Sequence, residues 1–286
     1  MHYGPSLGQM PQLPWRSRPD RWLPAPMPET LQNPTDMRLP DFLVLGAQKG
    51  GTTTLHALLR QHRDLYLPEA KELHYFSLHD QRDLRWYADH FQGAPPEQRC
   101  GDITPYYLFH PRSPAGIKQT LPNVQLIALL RDPVERALSQ FFHAQRLGFE
   151  TLELEAALDA EQGRLADAEE ALQRPGSVHY SHQKHSYVSR SRYEHQLDRY
   201  LDLFPEQQLL VCRSEDLFIN TLSCLHRITT FLGLSPLNSA AITGIRANAG
   251  SGEAAAVPER IRERLRRELT PTAAVIRARY GFDWGW

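Results

Sequence analysis

The sequence predicts an α/β fold in three layers, a central parallel sheet flanked by helices. Three observations carry that expectation. Apolar runs of strand length, "FLVLGA", "VQLIALL" and "QLLVC", are each followed by a helical pattern. The runs are nearly continuous rather than alternating, as in parallel strands buried on both faces. The first two end in turns, "GAQKGG" and "RDP", at the position where such sheets bind ligands, the carboxyl ends of strands.

In chain order, residues 1–40 carry nine of the 22 prolines, which excludes a regular helix and predicts an extended arm. Residues 41–286 then show no further break in composition and are expected to form one domain. "FLVLGA" opens it as a buried strand, and Leu55, Leu58 and Leu59 mark the inner face of the helix beyond the glycine turn. "VQLIALL" (Val124 to Leu130) is the second strand. Asp132 is a good N-cap for the helix that follows it, and Pro133 suits its first turn. Val134, Ala137, Leu138, Phe141 and Phe142 supply the apolar face of that helix. A further helix is expected over about Arg192 to Phe204. The strand "QLLVC" then leads through "RSEDL" to a helix over about Thr221 to Leu232. "VPERIRERLRRELTP" interleaves arginine and glutamate at helical pair spacing, so it reads as a solvated helix face rather than a nucleic-acid surface.

The bulk properties exclude several classes. A formal net charge of -1 speaks against a polyanion receptor. No apolar run approaches the roughly 18 residues that span a bilayer, and the N-terminus lacks the apolar core of a secretory signal. Cys100, Cys212 and Cys224 show no metal or disulfide spacing, which fits a reducing compartment. The expected location is cytoplasmic.

The loop "GAQKGGTTT" nearly spells a nucleotide-binding P-loop, but Thr52 stands where that motif has its lysine, and Lys49 comes three residues too early. A glycine turn before a helix N-terminus presents N–H groups and the positive end of the helix dipole to an anion. Gly50 and Gly51 let the backbone approach it, and Thr52, Thr53 and Thr54 add hydroxyl donors. Lys49, inside the turn, suits a 5′-phosphate and its leaving bond with no metal between. Arg131 ends a buried strand, where a charge needs an anionic partner: Asp132, Glu135 or a ligand phosphate.

"QKGGTTTL" resembles the phosphosulfate-binding loop of sulfotransferases that use 3′-phosphoadenosine 5′-phosphosulfate (PAPS), and within them the heparan sulfate-type carbohydrate branch. "KELHYF" resembles the E-x-H-F-F segment of that branch, "GDITPYYL" its T-P-x-Y segment, and "LLRDPVERALSQF" its 3′-phosphate-binding strand and helix. The resemblance covers roughly residues 41 to 286 and implies a P-loop NTPase-like fold. It also implies that Lys49, Gly50, Gly51, Thr52 and Thr53 hold the 5′-phosphosulfate, and that Arg131 and Ser139 hold the 3′-phosphate. Glu72 corresponds to the catalytic base, for which partial desolvation and a raised pKa are expected. His74 lies on the same side if the segment is extended, and is a candidate to orient Glu72 or to contact the acceptor. Sulfuryl transfer would then run in line, with 3′-phosphoadenosine 5′-phosphate (PAP) as product and no metal. His179, His182 and His185 are accordingly expected to border the acceptor cleft.

Two departures bear on the acceptor. Ile103 stands where the heparan sulfate enzymes carry a lysine. Their basic C-terminal loop is here "IRANAGSGEAAAVP", with Arg246 its only cation. Arg246, Asn248 or the Gly250–Ser251–Gly252 backbone is the candidate to close over the cofactor. The lost charge disfavours a glycosaminoglycan and favours a small-molecule, saccharide or lipid-linked hydroxyl acceptor. The rival readings are an ATP-dependent small-molecule kinase and a non-catalytic PAP-binding protein. The sequence leaves the oligomeric state open.

Overall fold

The computed structural model describes residues 37–237 and 252–286; residues 1–36 of the expected arm and the segment from 238 to 251 lie outside the described residues. Five parallel strands form the sheet: β1 (Phe42–Gly46), β2 (Leu65–Tyr66), β3 (Arg99–Ile103), β4 (Gln125–Leu130) and β5 (Leu209–Arg213). Their spatial order is β2-β3-β1-β4-β5. The chain leaves β1 toward β2 on one side and leaves β4 toward β5 on the other. The carboxyl ends of β1 and β4 therefore meet where the winding reverses, the crevice in which such sheets bind ligands.

The helices are α1 (Thr52–Leu59), α2 (Leu84–Ala88), α3 (Ser113–Thr120), α4 (Pro133–Arg146), α5 (Leu154–Arg164), α6 (Ala168–Ala171), α7 (Tyr180–Lys184), α8 (Tyr193–Leu201), α9 (Ser214–Ile219), α10 (Thr221–Phe231) and α11 (Glu259–Tyr280). Alternate strand residues point to opposite faces. Leu43, Leu45, Leu126 and Ala128 pack against Ile117 of α3 and Tyr193 and Leu197 of α8. Phe42, Val44, Ile127 and Leu129 pack against Leu55 and Leu58 of α1 and Leu225 and Ile228 of α10. A third apolar cluster joins α4, α5 and α11 beside the sheet.

The three strands expected from apolar runs are β1, β4 and β5. The pattern did not mark β2, which is two residues long, or β3, whose sequence "RCGDI" carries two charges. Neither forms an apolar run of strand length. Asp132 caps α4 as expected, its Oδ1 accepting from Val134 N at 2.8 Å and Glu135 N at 3.0 Å. Phe142 is half-buried against the third cluster, as expected of the apolar face, and also lines the cavity described below. The arginine-rich segment is amphipathic, not wholly solvated: Ile261, Leu265 and Leu269 of α11 are buried. Their spacing of four places one stripe against the core, while the arginines pair outward, as in Arg264–Asp159 and Arg260–Glu155. Among the described residues no helix is long and apolar enough to cross a membrane.

Candidate active site

A cavity of about 980 Å³ opens at the carboxyl ends of β1 and β4. It is lined by Lys49, Thr52, Glu72, Arg131 and Ser139, which come from three separated stretches of sequence. Sheet winding alone brings them together.

The first wall is the turn between β1 and α1. Ala47 N donates to Leu129 O at 2.8 Å, Gly50 N donates to Ala47 O at 2.9 Å, and Ser214 Oγ donates to Gly50 O at 2.7 Å. A Cβ on Gly50 would lie 2.6 Å from Leu129 O, so only glycine fits between turn and sheet. Gly51 has φ 90°, and Lys49 itself is left-handed at φ 67°. The helix beyond has no side-chain cap and no acid in its first turn. Its first N–H groups and dipole thus face the cavity without an anionic partner. Burial lowers the Lys49 pKa, and the nearby guanidinium groups of Arg146 and Arg131 lower it further.

The second wall is the turn after β4. Arg131 Nη1 donates to Lys49 O at 3.3 Å. The two carboxylates that the sequence offers as its partners are engaged elsewhere. Asp132 caps α4 and accepts from Trp286 Nε1 at 2.6 Å, while Glu135 pairs with Arg262. Among the described residues no carboxylate lies within 4.0 Å of the Arg131 guanidinium. Ser139, two turns along α4, lines the same cavity.

The third wall carries Glu72. Lys71 Nζ donates to Glu72 Oε1 at 2.9 Å and to Thr53 Oγ1 at 2.9 Å, and His74 Nε2 lies 3.6 Å from Glu72 Oε2. The segment is not extended as expected, since Glu72 and His74 have φ 65° and 56°. Left-handed residues two apart still aim both side chains at one point. Below them, Thr104 Oγ1 donates to the buried Asp102, which also accepts from the hydroxyls of Tyr87 and Tyr107 at 2.9 and 2.8 Å. Three hydroxyl donors fix that carboxylate and, through it, the "TPYY" turn. Together with Lys49, Glu72 and His74 are the described non-glycine residues with positive φ. Such backbone costs of order 1–3 kcal/mol per residue and clusters at working sites.

The expected raised pKa of Glu72 is overturned. Burial does push it up, but the His74 ring and the Lys71 ammonium outweigh burial and hold the carboxyl at about 2. The group is therefore ionised throughout the neutral range. It is always in proton-accepting form, at the cost of driving force for the transfer.

The histidine-rich stretch does not border the cavity. His182 stacks on Phe109 at 4.1 Å with Nδ1 at 2.8 Å from the Tyr106 hydroxyl; His185 Nε2 lies 2.9 Å from Phe149 O; His179 Nε2 lies 3.1 Å from Asp167. Each ring supports the loop behind the site. His143 and Arg146, in contrast, line the cavity and were missed. Helical spacing from Ser139 was the available signal, since i+4 shares a face. Burial and the charges of Lys49, Arg146 and Lys184 push His143 down to about 4, so it is neutral at pH 7. Of the C-terminal candidates, Gly252 lines the cavity; Arg246, Asn248, Gly250 and Ser251 lie outside the described residues.

The arrangement thus sets cations, a helix N-terminus and hydroxyl donors on two sides of a nucleotide-sized space, with an ionised carboxylate on the third. It can grip a polyanion and take a proton beside it. A model of the sulfotransferase domain family matches residues 39–247. Human heparan sulfate glucosamine 3-O-sulfotransferase 3B1 is 28% identical over 213 residues, covering 74% of this chain and 50% of that protein. The membrane-associated sulfotransferase kil1 of Dictyostelium discoideum is 40% identical over 106 residues, 36% of this chain and 22% of that protein. The chain therefore spans half or less of the length of these two relatives. A crystal structure of a sulfotransferase from Alicyclobacillus acidocaldarius superposes with a TM-score of 0.68 at 27% identity, covering 86% of this chain and 98% of that one.

Proposed function

The chain belongs to the sulfotransferase domain family, and on that premise we propose that it transfers the sulfuryl group of PAPS to an acceptor hydroxyl by in-line displacement. The observation that carries this reading is the pairing of unneutralised Arg131 and Lys49 on one side of the cavity with ionised Glu72 on the other. Lys49, the α1 N-terminus, Thr52 and Thr53 hold the 5′-phosphosulfate, and Arg131 with Ser139 holds the 3′-phosphate. Glu72 takes the acceptor proton, and Lys49 neutralises charge that develops on the leaving phosphate. His74 orients the Glu72 carboxylate. Positioning and charge stabilisation supply the catalysis, as in phosphoryl transfer. The cavity fits the donor, because its glycine turn admits only backbone and, among the described residues, Lys49 and Arg131 line it with no carboxylate within 4.0 Å.

Ile103 lines no cation wall, so the acceptor is a small-molecule, saccharide or lipid-linked alcohol rather than a glycosaminoglycan chain. We take the catalytic domain as residues 41–286, with Arg38 paired to Asp41 and Leu39 packed against its core just ahead of it. Calorimetric titration with PAP, against ATP plus Mg²⁺, tests the donor site. Micromolar PAP binding is expected, lost in Arg131→Ala, together with sulfate transfer from labelled PAPS that Glu72→Gln abolishes. Preference for ATP and Mg²⁺ would overturn the reading in favour of a kinase.

A further inference from the structure

Behind the glycine turn lies a charge with no counter-ion. Arg190, between α7 and α8, is 2% exposed. Its guanidinium sits between two aromatic rings, 5.1 Å from the Tyr106 centroid and 4.8 Å from that of Phe109. It donates to His182 O at 2.6 Å and to the Gln48 side-chain oxygen, which adjoins Lys49 in the turn. Its Nε is buried without a partner, and among the described residues no carboxylate lies within 4.0 Å. Burial lowers its pKa to about 9, which leaves it protonated at neutral pH.

An unpaired buried cation is expensive unless something anionic compensates it. The equally buried Arg136 also has no carboxylate within 4.0 Å among the described residues, but its donors stay on Ser191 and Tyr187 O behind the site. Arg190 instead reaches the phosphosulfate turn, through the Gln48 side chain. Resting on the donor-site reading above, we infer that Arg190 is a positioning residue for sulfuryl transfer. It clamps Gln48 so that Lys49 keeps its left-handed backbone, and its charge adds to the field that the donor's phosphates neutralise. The stacking on Tyr106 and Phe109 fixes the planar fork, a role that lysine cannot fill. Cation–π contacts of this kind strengthen when desolvated.

The test is a double-mutant cycle in PAP affinity, using Gln48→Ala, Arg190→Met and the double variant of the full chain, with melting temperatures taken alongside. A hydrogen bond to a charged group is worth roughly tenfold or more in an equilibrium constant, so each single variant should bind PAP about tenfold more weakly. The double variant should be no weaker than the poorer single one, because both remove the same link. Arg190→Lys should not restore affinity. If Arg190→Met does not fold, Arg190→Lys takes its place in the cycle, since Gln48 itself lines the cavity and its single loss does not isolate the link. Wild-type PAP affinity in Gln48→Ala, or additive losses in the cycle, overturns the inference. Arg131→Ala run in parallel separates the two levels: PAP binding unaffected by Arg131→Ala would remove the donor site itself.

Discussion

Replacing Gly50 by alanine should slow catalysis about a hundredfold without unfolding the chain. The added Cβ would stand 2.6 Å from Leu129 O and 2.9 Å from Ala47 O, against an ordinary contact of at least 3.4 Å. Leu129 is fully buried in β4, pairs with Cys212 of β5 and accepts from Ala47 N at 2.8 Å, so the turn must yield by the difference, 3.4 − 2.6 = 0.8 Å. That movement carries Lys49, the adjacent residue, away from the donor. Misplacement of about 1 Å costs on the order of a hundredfold in rate, while overpacking of this kind costs about 1–3 kcal/mol in stability. Initial rates with saturating PAPS and an acceptor, measured beside a thermal melt, separate the two effects. Gly163→Ala is the control. That glycine lies in α5 with nothing within 4 Å, so alanine should stabilise by roughly 0.5–1 kcal/mol and leave the rate unchanged. A Gly50→Ala enzyme with the wild-type rate would refute the close approach of turn and sheet as a requirement of the site.

Two further outcomes follow from the same geometry. In Lys71→Met the Glu72 carboxyl loses a cation that favours its charged form, so its pKa should rise from about 2 toward the ordinary value of 4.5. The acid limb of kcat then moves to higher pH; an unmoved limb would show that Lys71 does not set the charge of Glu72. The linked stability has the matching sign: a depressed carboxylate stabilises fully above the unfolded-state value and loses that contribution as pH falls toward 2, so the variant should lose less over that window. Asp132→Ala removes two cap bonds to α4 and the tie to Trp286. Loss of a cap costs typically about 1 kcal/mol, which lowers Tm by roughly 2–4 °C for a domain of this size. An unchanged melt would mean that the C-terminal tryptophan does not anchor there.

The sequence by itself determined three of the five strands and the loops that form the site. Continuous apolar runs can only be buried strands or short buried helix segments, and the turn residues that close them, "GAQKGG" and "RDP", resolve the choice because each fixes a helix start. Local chemistry was enough to single out Lys49 and Arg131, whereas Glu72 and Ser139 came only from the family resemblance; all four line the cavity. Tertiary structure alone decided what those residues experience. Glu72 shows it most clearly, because desolvation argues for a raised pKa until Lys71 and His74 fold back against it. The same holds for β3, whose Asp102 is buried where three hydroxyls from other positions converge on it. It holds again for Arg190, which meets Gln48 across 142 positions of sequence. Periodicity records which way a side chain points along its own element. The charge it meets there comes from other elements, and only the winding of the sheet brings them within reach.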